Sequence, residues 1–199
     1  EINGEAKKII TKDGLSESRF DKNLLTGSLV IQNSIIDGVT ISFNNGVHED
    51  SINIVNSKGK INLISVKNSF QDAIDLDFSD LKIKKMNIEN AGNDCVDISS
   101  GTYWIDNITA KKCFDKGVSI GEKSNVNILD LTLENSQIGL VVKDSSTVDI
   151  LKSNIKNYSQ CLAIYRKKQE FGSSTLNISK STCPEGKTIV QYNSKIKYQ

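Results

Sequence analysis

One spacing recurs along the whole chain and narrows its possible folds more than any other feature. Apolar pairs stand at Ile52/Ile54, Ile74/Leu76, Val96/Ile98, Val118/Ile120, Leu140/Val142 and Leu162/Ile164, each pair starting 22 residues after the last. A second column runs Ile61, Ile83, Ile105, Ile128 and Ile150, with steps of 22, 22, 23 and 22. A third, Val66, Ile88, Ala110, Leu133 and Ile155, keeps the same steps. Three columns sharing one period over five or six copies mark an internal repeat, and a repeat of this kind sets the whole architecture.

Within each copy apolar and polar residues alternate, as in Ile74-Asp75-Leu76-Asp77 and Val96-Asp97-Ile98-Ser99. Alternation at period two is a strand with one buried face. Several short strands per copy cannot bury those faces alone, but stacked copies can. Helical repeats need roughly 33 residues or more, and a leucine-rich repeat would carry a regular Leu/Asn consensus. The pattern predicts an all-β, right-handed parallel β-helix of about seven coils of roughly 22 residues, with neighbouring coils ~4.8 Å apart. Asn68, Asn90, Asn135 and Asn157 recur just after an apolar strand, where Asn suits a repeated tight turn with left-handed backbone angles. Residues 1–24 lack the pattern and read as a linker or N-terminal cap. Residues 25–199 read as the β-helix domain, with 25–46 its first coil and 175–199 an atypical last one. The stretch Arg166–Ser174 lengthens one turn, with Ile150 to Leu176 spanning 26 residues. An open solenoid end needs cover, so a neighbouring domain in the same protein is expected.

Composition narrows the partners. Lys plus Arg number 25 and Asp plus Glu 24, so no general attraction to nucleic acid is expected. No apolar run approaches the ~20 residues of a membrane span. The chain opens at Glu1 with no initiator Met or apolar signal core, and reads as a mature protein or an excised domain, secreted or on the cell surface. Cys95, Cys113, Cys161 and Cys183 show no metal-type spacing and are expected as buried thiols, with their pairing left open.

The chemistry-bearing residues fall on one outward strip. Between and after the apolar pairs lie Asn53, Asp75, Asp77, Asp97, Ser99, Ser119, Lys143 and Tyr165; just upstream lie Asp50, Asp72, Asp94 and Lys116, and just downstream Glu122, Asp144 and Arg166. Like charges on neighbouring coils repel, so this clustering needs a bound cation, basic neighbours or a carboxyl held protonated, each a mark of functional sites. Carboxyls beside Lys, Arg and Tyr on a shallow face suit sugar chemistry. Asp72, Asp75, Asp94, Asp97, Lys116 and Lys143 are the candidate catalytic groups. Asp77, Glu122, Tyr165 and Arg166 are candidate substrate contacts.

Four segments on this strip carry a resemblance. Phe70-Gln71-Asp72-Ala73-Ile74-Asp75, Asn93-Asp94-Cys95-Val96-Asp97-Ile98, Lys116-Gly117-Val118-Ser119-Ile120-Gly121 and Gly139-Leu140-Val141-Val142-Lys143 follow one another at coil spacing. Their order resembles the polygalacturonase family of glycoside hydrolases, within the pectin-lyase-like β-helix superfamily. The resemblance covers roughly residues 70–145 and implies a β-helix whose retained groups are Asp72, Asp94 and the substrate-binding Lys143. Asn93, Lys116 and Val141 stand where that family has an acid, a His and an Arg. An amide cannot protonate a leaving group, so the implied face is sugar-handling without the family's standard acid.

The expected function is therefore action on an acidic bacterial or plant polysaccharide as a lyase, hydrolase or epimerase. In a lyase, Asp75, Asp77 and Asp97 would hold Ca²⁺, and Lys143 or Lys116 would take the proton at C5 of the uronate. In a hydrolase, two of Asp72, Asp75, Asp94 and Asp97 would serve as acid and base. The alternative is a non-catalytic module that binds polysaccharide or displays a partner surface. His48, beside Glu49 and Asp50, reads as a turn residue, and Tyr103 and Trp104 as packing residues at the start of a coil.

Overall fold

A computed structural model describes residues 2, 3 and 26–198. Strands account for 78% of the described residues, all paired in parallel, and they wind into a solenoid of about eight turns, one more than the repeat count predicts. The expected linker or cap over 1–24 lies outside the described residues apart from β1 (Ile2–Asn3), which pairs with Phe43 and Asn44.

The strands follow in chain order as β2 (Gly27–Gln32), β3 (Ile35–Gly46), β4 (Asp50–Val55), β5 (Lys58–Ser69) and β6 (Asp72–Ala91). Then come β7 (Val96–Gly121), β8 (Asn125–Lys143), β9 (Thr147–Tyr165), β10 (Thr175–Ser181), β11 (Thr188–Val190) and β12 (Lys195–Tyr198). The long strands bend at corners and so contribute to more than one face. The first face stacks β2, β4, the start of β6, both ends of β7, the ends of β8 and β9, and β11. The second face begins at Ile35 and Lys58 and ends at β10 and β12. The third carries the column Val66, Ile88, Ala110, Leu133 and Ile155.

All three apolar columns point inward. Ile52 pairs with Ile74 and Ile74 with Val96; Ile61, Ile83, Ile105, Ile128 and Ile150 register one above another. These residues are buried and form one continuous core cluster. Each coil alone would leave its apolar face in water, and stacking removes it.

The turn chemistry follows the Asn column. Asn68, Asn90, Asn135 and Asn157 have φ of 56°, 67°, 61° and 54°, in the left-handed region that Asn tolerates. Their side chains also bond along the column: Asn90 Nδ2 donates to Asn68 Oδ1 at 2.9 Å and Asn157 Nδ2 to Asn135 Oδ1 at 3.0 Å. Lys112, at φ 57°, occupies the same corner in the coil between and breaks the ladder.

Two expectations are corrected. The cysteines are not free thiols: Cys95 bonds to Cys113 and Cys161 to Cys183. Cys95 immediately precedes β7 and Cys113 lies within it, whereas Cys161 lies in β9 and Cys183 two residues past β10, so each bond ties a strand to a segment just outside one. The lengthened turn also shifts the register: Ile150 pairs with Ile178, and Leu176 with Val148, so that step is 28 residues.

A buried hydroxyl column accompanies the second face and has no counterpart in the sequence reading. The backbone N–H of Ser34 donates to Ser57 Oγ (3.1 Å), Ser57 N to Ser79 Oγ (2.9 Å), Ser146 N to Ser174 Oγ (3.2 Å) and Ser174 N to Ser194 Oγ (3.0 Å). These N–H groups sit at a corner where the strand ladder lapses, and the next coil's hydroxyl satisfies them. At residue 101 the column carries glycine, with φ 104°, because a Cβ there would lie 2.1 Å from the Ser79 carbonyl oxygen. The Tyr103 hydroxyl replaces the missing serine, accepting from Ser79 N at 3.2 Å and donating to the Ser100 carbonyl at 2.8 Å. Tyr103 is thus a packing residue, as expected, whereas Trp104 is exposed.

Candidate functional site

The outward strip lies on the first face. Register sets Asn53 beside Asp75, Asp75 beside Asp97 and Ser119 beside Val141. A second outward column sets Val55 beside Asp77, Asp77 beside Ser99 and Lys143 beside Tyr165. Upstream, Asp50 registers with Asp72. At ~4.8 Å between coils these carboxyls are close neighbours.

Hydrogen bonds fix the upstream column into a staircase. Asp72 Oδ1 accepts from Asn93 Nδ2 and from the Asp94 backbone N–H, both at 2.8 Å. One coil on, Asp94 Oδ1 accepts the Lys116 backbone N–H at 3.0 Å, and its carboxylate pairs with Lys116 Nζ at 3.2 and 3.3 Å. Lys116 Nζ also pairs with Asp115. Each of the two carboxyls therefore anchors the turn that presents the charged residue of the next coil, Asp94 and then Lys116.

Lys143 makes the second cluster. Its ammonium donates to Ser119 Oγ at 2.6 Å and lies 3.8 Å from Asp97 Oδ1. To reach back it runs across Gly121, where a Cβ would meet Lys143 Cε at 2.8 Å. A larger residue there would push the lysine stem aside. Lys143 is 7% exposed, and Asp97 Oδ1, though buried, has no hydrogen-bond partner. Asp75 and Asp77 are linked through Asn53, whose Nδ2 donates to them at 3.3 and 3.0 Å.

Burial and crowding raise three carboxyl pKa values toward or past neutrality. Asp75 is pushed up to about 9, chiefly by burial and then by Asp77, Asp50, Asp97 and Asp72. Asp72 rises to about 7 through burial and the Asp94 charge. Asp94 rises to about 6 through burial, held down in part by Lys116. Lys116 is raised as the bonds and charges of Asp115 and Asp94 outweigh its own burial. Burial raises the Tyr165 phenol, with smaller effects from Lys116, Asp144, Asp115 and Asp94.

The structure thus gathers Asp72, Asp75, Asp77, Asp94, Asp97, Lys116, Lys143 and Tyr165. It leaves two expected contacts at the margin. Glu122 pairs with Lys168 of the lengthened turn, and the Arg166 guanidinium stacks over Tyr192 at 5.4 Å from the ring centroid. Asp144 anchors that turn by accepting the backbone N–H groups of Lys167 and Lys168 at 2.7 and 2.8 Å. His48 bonds Ser28 Oγ at 3.0 Å, as a turn residue would. Among the described residues no three His, Cys, Asp or Glu side chains are arranged to hold a metal ion. The expected calcium ligands Asp75, Asp77 and Asp97 are not drawn into such a group.

Aromatic rims escaped the sequence reading. Phe70 and Phe114 stand two residues before Asp72 and Lys116, with exposures of 52% and 70%, and Phe78 follows Asp77 at 60%. Phe78 holds φ 50°, a strained conformation for a bulky side chain. The signal was available: Phe70, Gly92 and Phe114 are one period apart, so glycine leaves a gap between two exposed rings. No family model, curated protein or solved structure matches the chain.

Proposed function

We propose that this β-solenoid acts on an acidic polysaccharide by acid–base chemistry along the first-face strip, with Asp75 and Asp97 as the working pair. The observation that carries this reading is the contrast between two registered neighbours. Asp75 is crowded by carboxyls and keeps its proton through neutral pH, while Asp97 faces the Lys143 ammonium with one oxygen free of hydrogen bonds. Adjacent carboxyls whose surroundings differ in this way divide the roles of acid and base. Asp75 would give its proton to the leaving oxygen. Asp97, oriented by Lys143, would take one from water or from sugar carbon. Lys116 offers charge to a uronate carboxylate, and Phe70, Phe114 and Phe78 offer apolar rims for sugar rings. The motif order that resembles polygalacturonases supports a sugar substrate, and two disulfides suit a secreted or cell-surface protein.

A non-catalytic binding module is the second reading, and one observation favours it. Asn93, which stands where the resemblance has an acid, is spent on Asp72 through its Nδ2.

Incubation with polygalacturonate and with alginate, followed by reducing-end release and by ultraviolet absorbance of unsaturated ends, tests the proposal. Cleavage of either polymer is expected, with Asp97→Asn lowering the rate at least ~100-fold. Retention of polymer by the wild type with no cleavage of either would replace the enzyme reading with the module.

A further inference from the structure

We infer that the second face carries a separate docking site for an acidic sugar, built on Trp104. Strand register aligns Lys60, Lys82, Trp104 and Asn127 in one outward column along the solenoid axis. Trp104 is 52% exposed, and it lines a shallow, open depression of the sheet surface together with Lys60, Asp80, Leu81, Lys82 and Thr102.

Everywhere else on this column the outward side chain is polar or charged: Asp37, Lys60 and Lys82 before it, Asn127, Asp149 and Asn177 after it. Polar residues keep an exposed sheet face wetted. A half-bare indole there leaves apolar area in water that a bound ring would cover. The flat C–H face of a pyranose matches an indole face in shape and polarity, and Trp suits a surface that is apolar at the ring and wet at its edge.

Charge chooses among sugars. Lys60 and Lys82 are exposed, and neither is in an ion pair among the described residues. Asp80, the one carboxylate of the lining, registers with Lys58 on the neighbouring column. A uronate stacked on Trp104 would direct its carboxylate to Lys82. A second unit, one coil along, would meet Lys60. The site is distinct from the first-face strip and stands whether or not that strip is catalytic.

Trp104 is the only tryptophan in the chain, so its fluorescence reports on this site alone. Titration with a galacturonate tetramer or a mannuronate tetramer is expected to give a saturable emission change and protection from acrylamide quenching. A neutral glucose tetramer should give neither. Lys60→Ala/Lys82→Ala should weaken the acidic-tetramer response by about tenfold or more, while Asp97→Asn, on the other face, should titrate as wild type. Loss of the response in Asp97→Asn with retention in Lys60→Ala/Lys82→Ala would overturn the proposal, as would unchanged emission with both acidic tetramers. Equal binding of the neutral tetramer would overturn the acidic assignment.

Discussion

The first-face outward column is one ladder with two characters. Its early rungs are Asn53, Asp75, Asp97 and Ser119; its later rungs are Val141, Ala163 and Ile189. Val141 and Ala163 are buried although they point away from the core cluster. The backbone is the same throughout, so side chains alone decide where chemistry is possible. In the early coils crowded carboxyls are tolerated because Lys116, Lys143 and retained protons compensate them. The later rungs carry no such charge, and Lys143 reaches from the later half back to Ser119 and Asp97. The boundary between the halves is therefore bridged by a long side chain, and the candidate site sits at that bridge.

The largest effect should come from giving a later rung the early character. Ala163→Asp would bury a carboxylate among Val141 and Ile189 with no cation paired to it. A loss of roughly 3 kcal/mol is expected, read as a lowered urea midpoint. An unchanged midpoint would mean that the later rungs are as solvated as the early ones, and the contrast would fail.

Removing a compensating charge from the early half should cost somewhat less, and the cost should depend on pH. Lys116→Met leaves Asp94 buried without its cation. About 2 kcal/mol should be lost at pH 8. Because Asp94 already titrates near 6 and Lys116 is what holds it down, protonation removes the penalty in acid. Without Lys116 the Asp94 carboxyl rises above about 6, so the difference between variant and wild type should shrink as pH falls toward about 6 and stay small below it. A constant difference across pH would assign Lys116 a packing role only.

Neutralising the crowd should have a smaller effect of opposite sign. Asp75 titrates at about 9 when folded and near ~3.9 when unfolded. Between those values the unfolded chain releases a proton that the folded chain keeps, so stability falls as pH rises through that window and levels off above it. Asp75→Asn carries no such linkage. It should raise stability by about 1 kcal/mol at pH 8 and change little at pH 4, while depressing turnover if Asp75 is the acid. A wild-type midpoint that rises from pH 4 to pH 8 would contradict the crowding.

This contrast explains what was legible in the sequence. Inward columns were readable because each rung needs the same property: Ile61, Ile83 and Ile105 are interchangeable apolar fillers, so their period survives in the letters. The strip was readable as a set of charges, since register follows from the period. Its wiring was not. Lys143 crosses a coil to Ser119 past Gly121, and Asn93 turns to Asp72. Such contacts depend on side-chain direction, which spacing does not encode. The first disulfide was hidden for a related reason. Cys95 and Cys113 are 18 residues apart, off the repeat, and meet because a corner folds one strand toward another face. Serine at 57, 79, 124 and 146 keeps the period and was readable in principle, but Gly101 and Tyr103 interrupt it.

The smallest effect concerns the break in the corner ladder. Asn68–Asn90 and Asn135–Asn157 are bonded pairs on either side of Lys112, which holds a left-handed backbone without asparagine's tolerance for it. Its partner is Glu89 at 3.5 Å, an exposed ion pair worth little. Lys112→Asn would place a side-chain amide within one coil of both Asn90 and Asn135 and relieve the backbone. A gain of about 0.5 kcal/mol is expected. The same substitution at Lys111, one residue away and not in the left-handed region, should give no gain. If both variants gained equally, the benefit would come from removing charge, and the Asn corner would be a matter of solubility, with no part in how the coils are stacked.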